Sequence, residues 1–426
     1  MLNKISTSKK LLIIILTLAA LTRFYNLGNP SGYVFDEVYH SFTAKEFALN
    51  HKEAWEWWTT PPPNVAYEWT HPPLAKEIMA SSMILFDTQS SWAWRLPGAI
   101  LGIISILLVY LISKLLFKSE LVSLTSAFIF SLDGLNFVQS RTGMNDIYLT
   151  TFILTSLYLL LKKNFLLSSI FLGFALASKW TAIYFLGVEL VILFLQGNFL
   201  KVFYYIFIPP IIYIASYTPF FILGHDLETF KGLQMQMWWY HTNLKATHDY
   251  YSPWWSWPLN LKPVWYFVDY QKDGKISNIF ASGNPILFWT GIGAILVTIF
   301  DLLKLFKTRT KIIFHSFFNN ENPHIWKSFF ILLIGYLGFW LPWSLSPRIM
   351  FLYHYSPSVP FLSILLAYHL APLYENKKTK ILFYSFLTAF LLSFLFIYPM
   401  LTAVPLSKEL LMLFFQTNLT KNPFGK

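Results

Sequence analysis

The sequence predicts an all-α polytopic membrane protein, and three observations carry that prediction. Hydrophobic residues make up 55% of the 426-residue chain and mean hydropathy is +0.48, a balance that belongs to a chain of repeated spans and not to a soluble domain. Apolar stretches near the ~20 residues needed to cross a bilayer recur between charged or Pro/Gly breaks, giving about eleven spans. Basic residues alternate in density between successive loops, which orients those spans.

The spans run in order along the chain. The first, 10–27, is apolar and broken late by Arg23; with no small-residue cleavage site it reads as a retained anchor. A long loop, 28–91, follows. It holds the adjacent carboxylates Asp36 and Glu37, a Trp- and Pro-rich stretch at 54–69, and an amphipathic stretch at 74–86. Pro72 and Pro73 prevent helix before Leu74, so a short juxtamembrane helix starts there with Lys76 in its first turn. A cation at the positive end of a helix dipole calls for an anionic partner, unless it is a snorkelling surface lysine. Spans 92–113, with Arg95 at its start, 119–135, 144–161, 165–178, 180–197 and 202–223 come next. Asp146 stands where it can cap the span after Arg141, and Lys179 separates two short spans. A second long loop, 224–284, is rich in Trp and Tyr, which favour the water–lipid boundary. Spans 285–306, 328–345, 350–371 and 381–402 complete the set, with 307–327 as a basic connector.

The lysines at 4, 9, 10, 114, 118, 162, 163, 201, 304, 307, 311, 327, 377, 378 and 380, with Arg309, fall on one side if the N-terminus is cytoplasmic. Asp36, Glu37, Arg141, Lys179, Arg348 and the C-terminus then lie outside, at the plasma membrane's outer face. The net charge of +11 is mostly this lysine excess and needs no nucleic-acid partner. The absence of cysteine excludes disulfides, thiolate metal sites and a cysteine nucleophile. The outer Asp, Glu and His residues do not have the spacing of a metal site, so no metal and no cofactor is assigned. Neither long loop has room for a large soluble module, and 1–426 reads as one membrane-embedded domain.

Two adjacent carboxylates near a bilayer, in a chain with 12% charged residues, are either a solvated loop or a general base in a partly dry, cation-lined site. The polar segments on the same face decide between these. They are Arg23; Phe35-Asp36-Glu37-Val38; His71-Pro72-Pro73-Leu74-Ala75-Lys76; Arg95-Leu96-Pro97; Gln139-Ser140-Arg141 with Asp146 five residues on; and Lys179-Trp180. Their order and spacing resemble the dolichyl- or polyprenyl-phosphate-mannose–protein mannosyltransferases, of C-type glycosyltransferase fold. The segments Ser252 to Trp257, Lys262 to Tyr266, Gly283-Asn284-Pro285 and Pro347 to Tyr355 are similar to the bacterial branch. One departure is Thr142-Gly143-Met144-Asn145, more polar than the family's aliphatic run. Another is the lack of room in 224–284 for the sugar-binding module that eukaryotic members carry.

The resemblance implies transfer of mannose, with inversion at C1, from a polyprenyl-phosphate carrier to Ser or Thr hydroxyls of a translocated protein, with the translocation machinery as a further partner. Asp36 is then the base and Glu37 an orienting or acceptor-contacting partner. Lys76, Arg95, Arg141 and Lys179 are the cations for the leaving phosphate, Lys76 foremost. Arg23 braces the acidic loop, Asp146 orients Arg141 or caps its helix, and His71, Arg348 and His354 support the site. A related transferase acting on a lipid or cell-wall glycan shares this chemistry, so the acceptor is the open part of the reading. A transporter is the third reading; it would show repeats and mid-membrane charges, whereas here Pro209-Pro210 is the clear mid-span break.

The orientation is testable without background, because the chain lacks cysteine. Single cysteines at Ser31, Ser140, Ser252 and Asn422 should react with an impermeant maleimide on intact cells, and those at Lys163 and Thr310 only after lysis. Labelling of the Lys163 site on intact cells would reverse the orientation.

Overall fold

A computed structural model describes residues 6–318 and 325–414, and among them are seventeen α-helices and one two-stranded sheet. The helix α1 (Thr7–Phe24) is followed by the short α2 (His40–Ala48) and α3 (Leu74–Leu85), then by α4 (Ser91–Phe117), α5 (Glu120–Ser131) and α6 (Gly134–Arg141). Next come α7 (Asn145–Leu161), α8 (Phe165–Ser178), α9 (Ala182–Leu195), α10 (Val202–Ala215), α11 (Thr218–Ile222) and α12 (Leu227–Asn243). After strands β1 (Val264–Tyr270) and β2 (Ile276–Ala281) the chain closes with α13 (Pro285–Phe318), α14 (Ile325–Trp340), α15 (Val359–Glu375), α16 (Lys380–Leu401) and α17 (Lys408–Phe414).

Five stretches among the described residues are long and apolar enough to cross a membrane: Ser91–Phe117, Pro285–Leu305, Ile325–Leu345, Leu352–Glu375 and Lys380–Leu401. A sixth arises if α5 and α6, bent by 61°, count as one span. The apolar helices α7 to α10 are shorter. At the centre lies α7, buried along most of its length and packed on α4 and α8, while α10 covers α8 and α15 covers α5.

Local chemistry sets the breaks. The bend before α6 follows from Asp133, whose carboxylate accepts the backbone N–H groups of Leu135 (3.4 Å) and Asn136 (2.8 Å) and so starts a new helix. The prolines at 72 and 73 hold off helix until Leu74, where α3 begins. Two features of the sequence reading need correction. The fold is mostly helical but not all-α: in the loop 224–284, aromatic and β-branched residues at 264–270 and 276–281 pair as an antiparallel hairpin, turned at Asp273-Gly274 with Gly274 at φ +82°. The connector 307–327 is not a plain loop either, since α13 runs on to Phe318; residues 319–324 lie outside the described residues. Ser140 and Ser252 are also buried, so Ser31 and Lys163, both exposed, are the better topology reporters. The reporter at Asn422 lies outside the described residues.

One buried clamp positions the loop after α1. Glu37 is 0% and Arg95 1% exposed. All five guanidinium N–H donors of Arg95 are used. Its Nε (2.8 Å) and Nη2 (2.7 Å) donate to the two oxygens of Glu37, while Nη1 and Nη2 also donate to the carbonyls of Leu27 (3.2 Å), Pro30 (2.8 Å) and Gly32 (3.0 Å). Glu37 further accepts from the Trp94 indole (3.1 Å) and from the backbone N–H groups of Val34 (2.9 Å) and Gly143 (2.8 Å). Glycine at 143 makes room for this approach: a Cβ there would run into Ser41 Oγ and crowd the Glu37 side chain. A buried pair satisfied on every side holds shape, and removing one partner strands a charge.

Glu37→Ala and Arg95→Ala should each destabilise the solubilised protein by about 3–5 kcal/mol, read from denaturant unfolding. The double variant should lose clearly less than the sum. Additive losses would mean that the two side chains do not act as one clamp.

Candidate active site

The 3-10 turn Phe35–Val38 sends its two carboxylates opposite ways. Glu37 points into the clamp, while Asp36 lines a cavity of about 520 Å³ together with His40, Glu68, His71, Arg348 and Tyr353. The turn requires Phe35 at φ +49°, a strained setting for a bulky residue, held by stacking of its ring on Tyr266 (4.2 Å, 8°). Among the described residues the Asp36 carboxylate has no hydrogen-bond or ion-pair partner. Burial pushes it up to about 6, with His40 and Lys179 pulling down and Glu68 and Asp146 pushing further up.

Sequence reasoning missed Glu68, the hub beside Asp36. One oxygen accepts from Thr70 N (3.0 Å) and from the Thr70 hydroxyl, and the other faces Lys76 Nζ (3.2 Å) and His40 Nδ1 (3.3 Å). Burial is the largest influence on Glu68 and raises it, yet Lys76, His71 and His40 together hold it well below the usual carboxylate range. Lys76 also donates to the carbonyls of Glu68 (2.6 Å) and His71 (2.9 Å), so its three donors are used and it is 1% exposed. The anionic partner that a lysine at a helix start calls for is thus Glu68, eight residues upstream. That position was the available signal.

A second cavity, of about 400 Å³, adjoins the first and shares His71, Arg348 and Tyr353 with it. Its wall includes Lys179, Trp180, His241 and His354. Lys179 leads into α9 from the end of α8. Its Nζ meets both oxygens of Asp146 (2.8 and 2.9 Å) and lies 5.6 Å from the Tyr353 ring centre. Arg348 bonds through Nη1 to His241 Nδ1 and lies over the Tyr240 ring, while its buried Nε has no partner among the described residues. His241 Nε2 faces the Thr70 carbonyl at 2.8 Å, which makes that nitrogen the donor and Nδ1 the acceptor. Burial, then Arg348, lowers His241 to about 4, so the ring that meets the guanidinium is neutral. His71 stacks on His241 (5.2 Å), has a buried Nδ1 without partner among the described residues, and is kept neutral by burial well below its ordinary value. His354 Nδ1 lies 2.9 Å from the Phe351 carbonyl and its ring packs on Trp343 (4.1 Å).

These placements revise several assignments. Arg95 cannot receive a phosphate, because the clamp uses all its donors, and Glu37 has no face toward an acceptor. Arg141 donates to the carbonyls of Thr22 (3.0 Å), Arg23 (2.5 Å), Tyr25 (2.9 Å) and Asn26 (3.4 Å), closing the C-terminal end of α1. Arg23 does not brace the acidic loop: its Nε donates to Ser140 Oγ (3.1 Å) and Nη1 to the Ala19 carbonyl (3.4 Å). Asp146 pairs with Lys179, not with Arg141. Among the described residues no group of three or more His, Asp or Glu side chains is placed to hold a metal ion.

Comparison with known proteins agrees with this arrangement of helices. Residues 13–223 match the family model described as dolichyl-phosphate-mannose-protein mannosyltransferase, and residues 226–414 match the C-terminal four TMM region of protein-O-mannosyltransferase. The chain is 24% identical to the polyprenol-phosphate-mannose–protein mannosyltransferase of Mycolicibacterium smegmatis (strain mc(2)155), over 93% of this chain and 89% of that protein. Identity to the protein of the same name from Mycobacterium tuberculosis (strain H37Rv) is 24%, over 93% and 88%. The fold is similar to the S. cerevisiae protein O-mannosyltransferase Pmt1-Pmt2 complex bound to the sugar donor, with TM-score 0.78, 15% identity, and 96% and 92% of the two chains covered. It is also similar to ArnT from Cupriavidus metallidurans bound to undecaprenyl phosphate, with TM-score 0.59, 13% identity, and 86% and 61% covered. The fold is therefore the C-type glycosyltransferase fold, and the chain belongs to the protein O-mannosyltransferase family.

Proposed function

We propose that this protein transfers mannose from a polyprenyl-phosphate carrier to a Ser or Thr hydroxyl of an acceptor protein, with inversion at C1. The observation that carries the reading is the unpartnered Asp36 carboxylate in one cavity, joined through Arg348 and Tyr353 to a second cavity lined by Lys179. The acceptor chain enters the Asp36 cavity and the carrier phosphate enters the other. The acceptor oxygen attacks C1 as its proton passes to Asp36 Oδ. The C1–O bond to phosphate breaks on the opposite side, and its electron pair stays with the phosphate.

Arg348 and Lys179 meet that growing charge. Arg348 brings a buried N–H without a partner and a neutral neighbour in His241. Lys179 brings a charge held in place by Asp146. Glu68 is a positioning residue that holds His40 beside Asp36 and is itself held by Lys76. On this reading 1–426 is one domain of about eleven spans. The N-terminus is cytoplasmic and the site lies at the outer face of the plasma membrane, where the translocation machinery delivers acceptors. Purified protein, polyprenyl-phosphate mannose and a Ser/Thr peptide, followed by mass spectrometry, test the reaction. Mannosylation of a lipid or glycan acceptor in place of the peptide would refute it.

Asp36→Asn should lower turnover on the order of 10²- to 10⁴-fold with donor binding kept. In the wild type, donor kcat/KM should rise through a midpoint near pH 6 as Asp36 ionises, and the variant should lack that limb. The sign for stability is opposite. A carboxyl raised from 3.8 to about 6 favours the folded state below its unfolded value, and this contribution is lost as pH rises through about 6. Asp36→Asn should therefore unfold no earlier than wild type at pH 8. Retained turnover would name another base.

Arg348→Ala should raise the donor concentration needed for half-maximal rate, with a loss of about 1.5–3 kcal/mol, or roughly ten- to a hundredfold in kcat/KM. Unchanged donor dependence would remove Arg348 from the phosphate site.

A further inference from the structure

We propose that a groove on the far side of the helix bundle binds an anionic phospholipid of the leaflet opposite the active site. The groove encloses about 610 Å³ between α1, α5 and α16. It runs from Leu11 to Thr22 on α1, from Leu121 to Leu132 on α5 and from Phe383 to Leu395 on α16. Each stretch is about 17 Å long at ~1.5 Å per residue, roughly half of a ~30 Å hydrocarbon core. The groove therefore spans a single leaflet.

Its two ends differ in charge. At the active-site end the Thr22 carbonyl is already taken by Arg141 (3.0 Å) and Tyr398 (3.2 Å). At the other end every wall brings lysine. Lys9 and Lys10 directly precede Leu11, Lys118 stands three residues before Leu121, and Lys377 and Lys378 form the turn into α16. Lys380 Nζ lies 4.2 Å from the ring centre of Tyr374, which itself lines the groove with Tyr384. Among the described residues the acids on this side include Glu375, Asp301 and Glu120, and Glu120 is held by Lys114 (2.5 Å) and Tyr110 (2.8 Å). Among the described residues lysines thus outnumber carboxylates around this mouth of the groove.

An apolar slot one leaflet deep with a basic mouth fits a phosphate headgroup above an acyl chain. The sugar carrier does not suit it, because its phosphate has to reach Lys179 and Arg348 at the opposite face. A zwitterionic lipid brings its own cation to the lysines. Occupancy would tie down α16, which has 17% of its apolar window buried against 39–78% for the other four long spans.

The test uses full-length protein in neutral detergent, titrated with phosphatidylglycerol, phosphatidylcholine or undecaprenyl phosphate. Thermal unfolding and native mass spectrometry are the readouts. Phosphatidylglycerol should stay bound and raise Tm, and phosphatidylcholine should do neither. Lys377→Ala with Lys378→Ala and Lys380→Ala should weaken the lipid roughly fivefold per lysine, about a hundredfold in all. Lys162→Ala with Lys163→Ala should leave it unchanged. Leu391→Trp, which fills the groove from a partly exposed position, should abolish retention while the protein still unfolds cooperatively. Equal effects of the two phospholipids, retention in the Leu391→Trp variant, undecaprenyl phosphate displacing phosphatidylglycerol, or a second copy of the chain bound in its place would each overturn the proposal.

Discussion

The ion pair of Glu37 with Arg95 is the constraint on which the site depends. Two neighbouring carboxylates cannot both sit in a dry pocket unless one is neutralised, since each unpaired buried charge is costly. Arg95 neutralises Glu37 and at the same time collects three carbonyls of the chain between α1 and the acidic turn. The turn is thereby fastened to α4, and Gly143 fastens it to the start of α7. What remains is Asp36, the one carboxylate of the pair that faces a cavity, with an affinity for protons raised by burial to the range in which a base works near neutral pH.

The cations divide along the same lines. Arg95, Arg141, Arg23 and Lys76 are committed to carbonyls, Ser140, Glu37 and Glu68, and they build the scaffold. Lys179 and Arg348 line the second cavity. One is paired with Asp146 and the other leans on a neutral histidine, so the wall keeps a net positive charge. A phosphate that gains charge as its bond to sugar breaks is favoured there over its starting state, which is the condition for lowering a barrier.

Much of this was legible in the sequence where a side chain's role follows from local chemistry. Pro72 and Pro73 place the start of α3, apolar stretches place the long helices, and the isolation of Asp36 and Glu37 marks the turn. Partner choice was not legible, because it is set by contacts between distant segments: Glu37 with Arg95 across 58 residues, Asp146 with Lys179 across 33. Composition alone could not tell a phosphate-seeking lysine from Lys76, whose donors are used by Glu68 and two carbonyls. The hairpin at 264–281 was not read from the sequence, although Asp273-Gly274 between two β-prone runs was the signal.

The most direct measurement is a structure of the protein with polyprenyl-phosphate mannose bound. The phosphate should lie between Lys179 and Arg348, with Asp36 on the opposite side of C1 and Glu37 still held by Arg95. A phosphate seated on Arg95 or Lys76, with the clamp opened to receive it, would contradict the account.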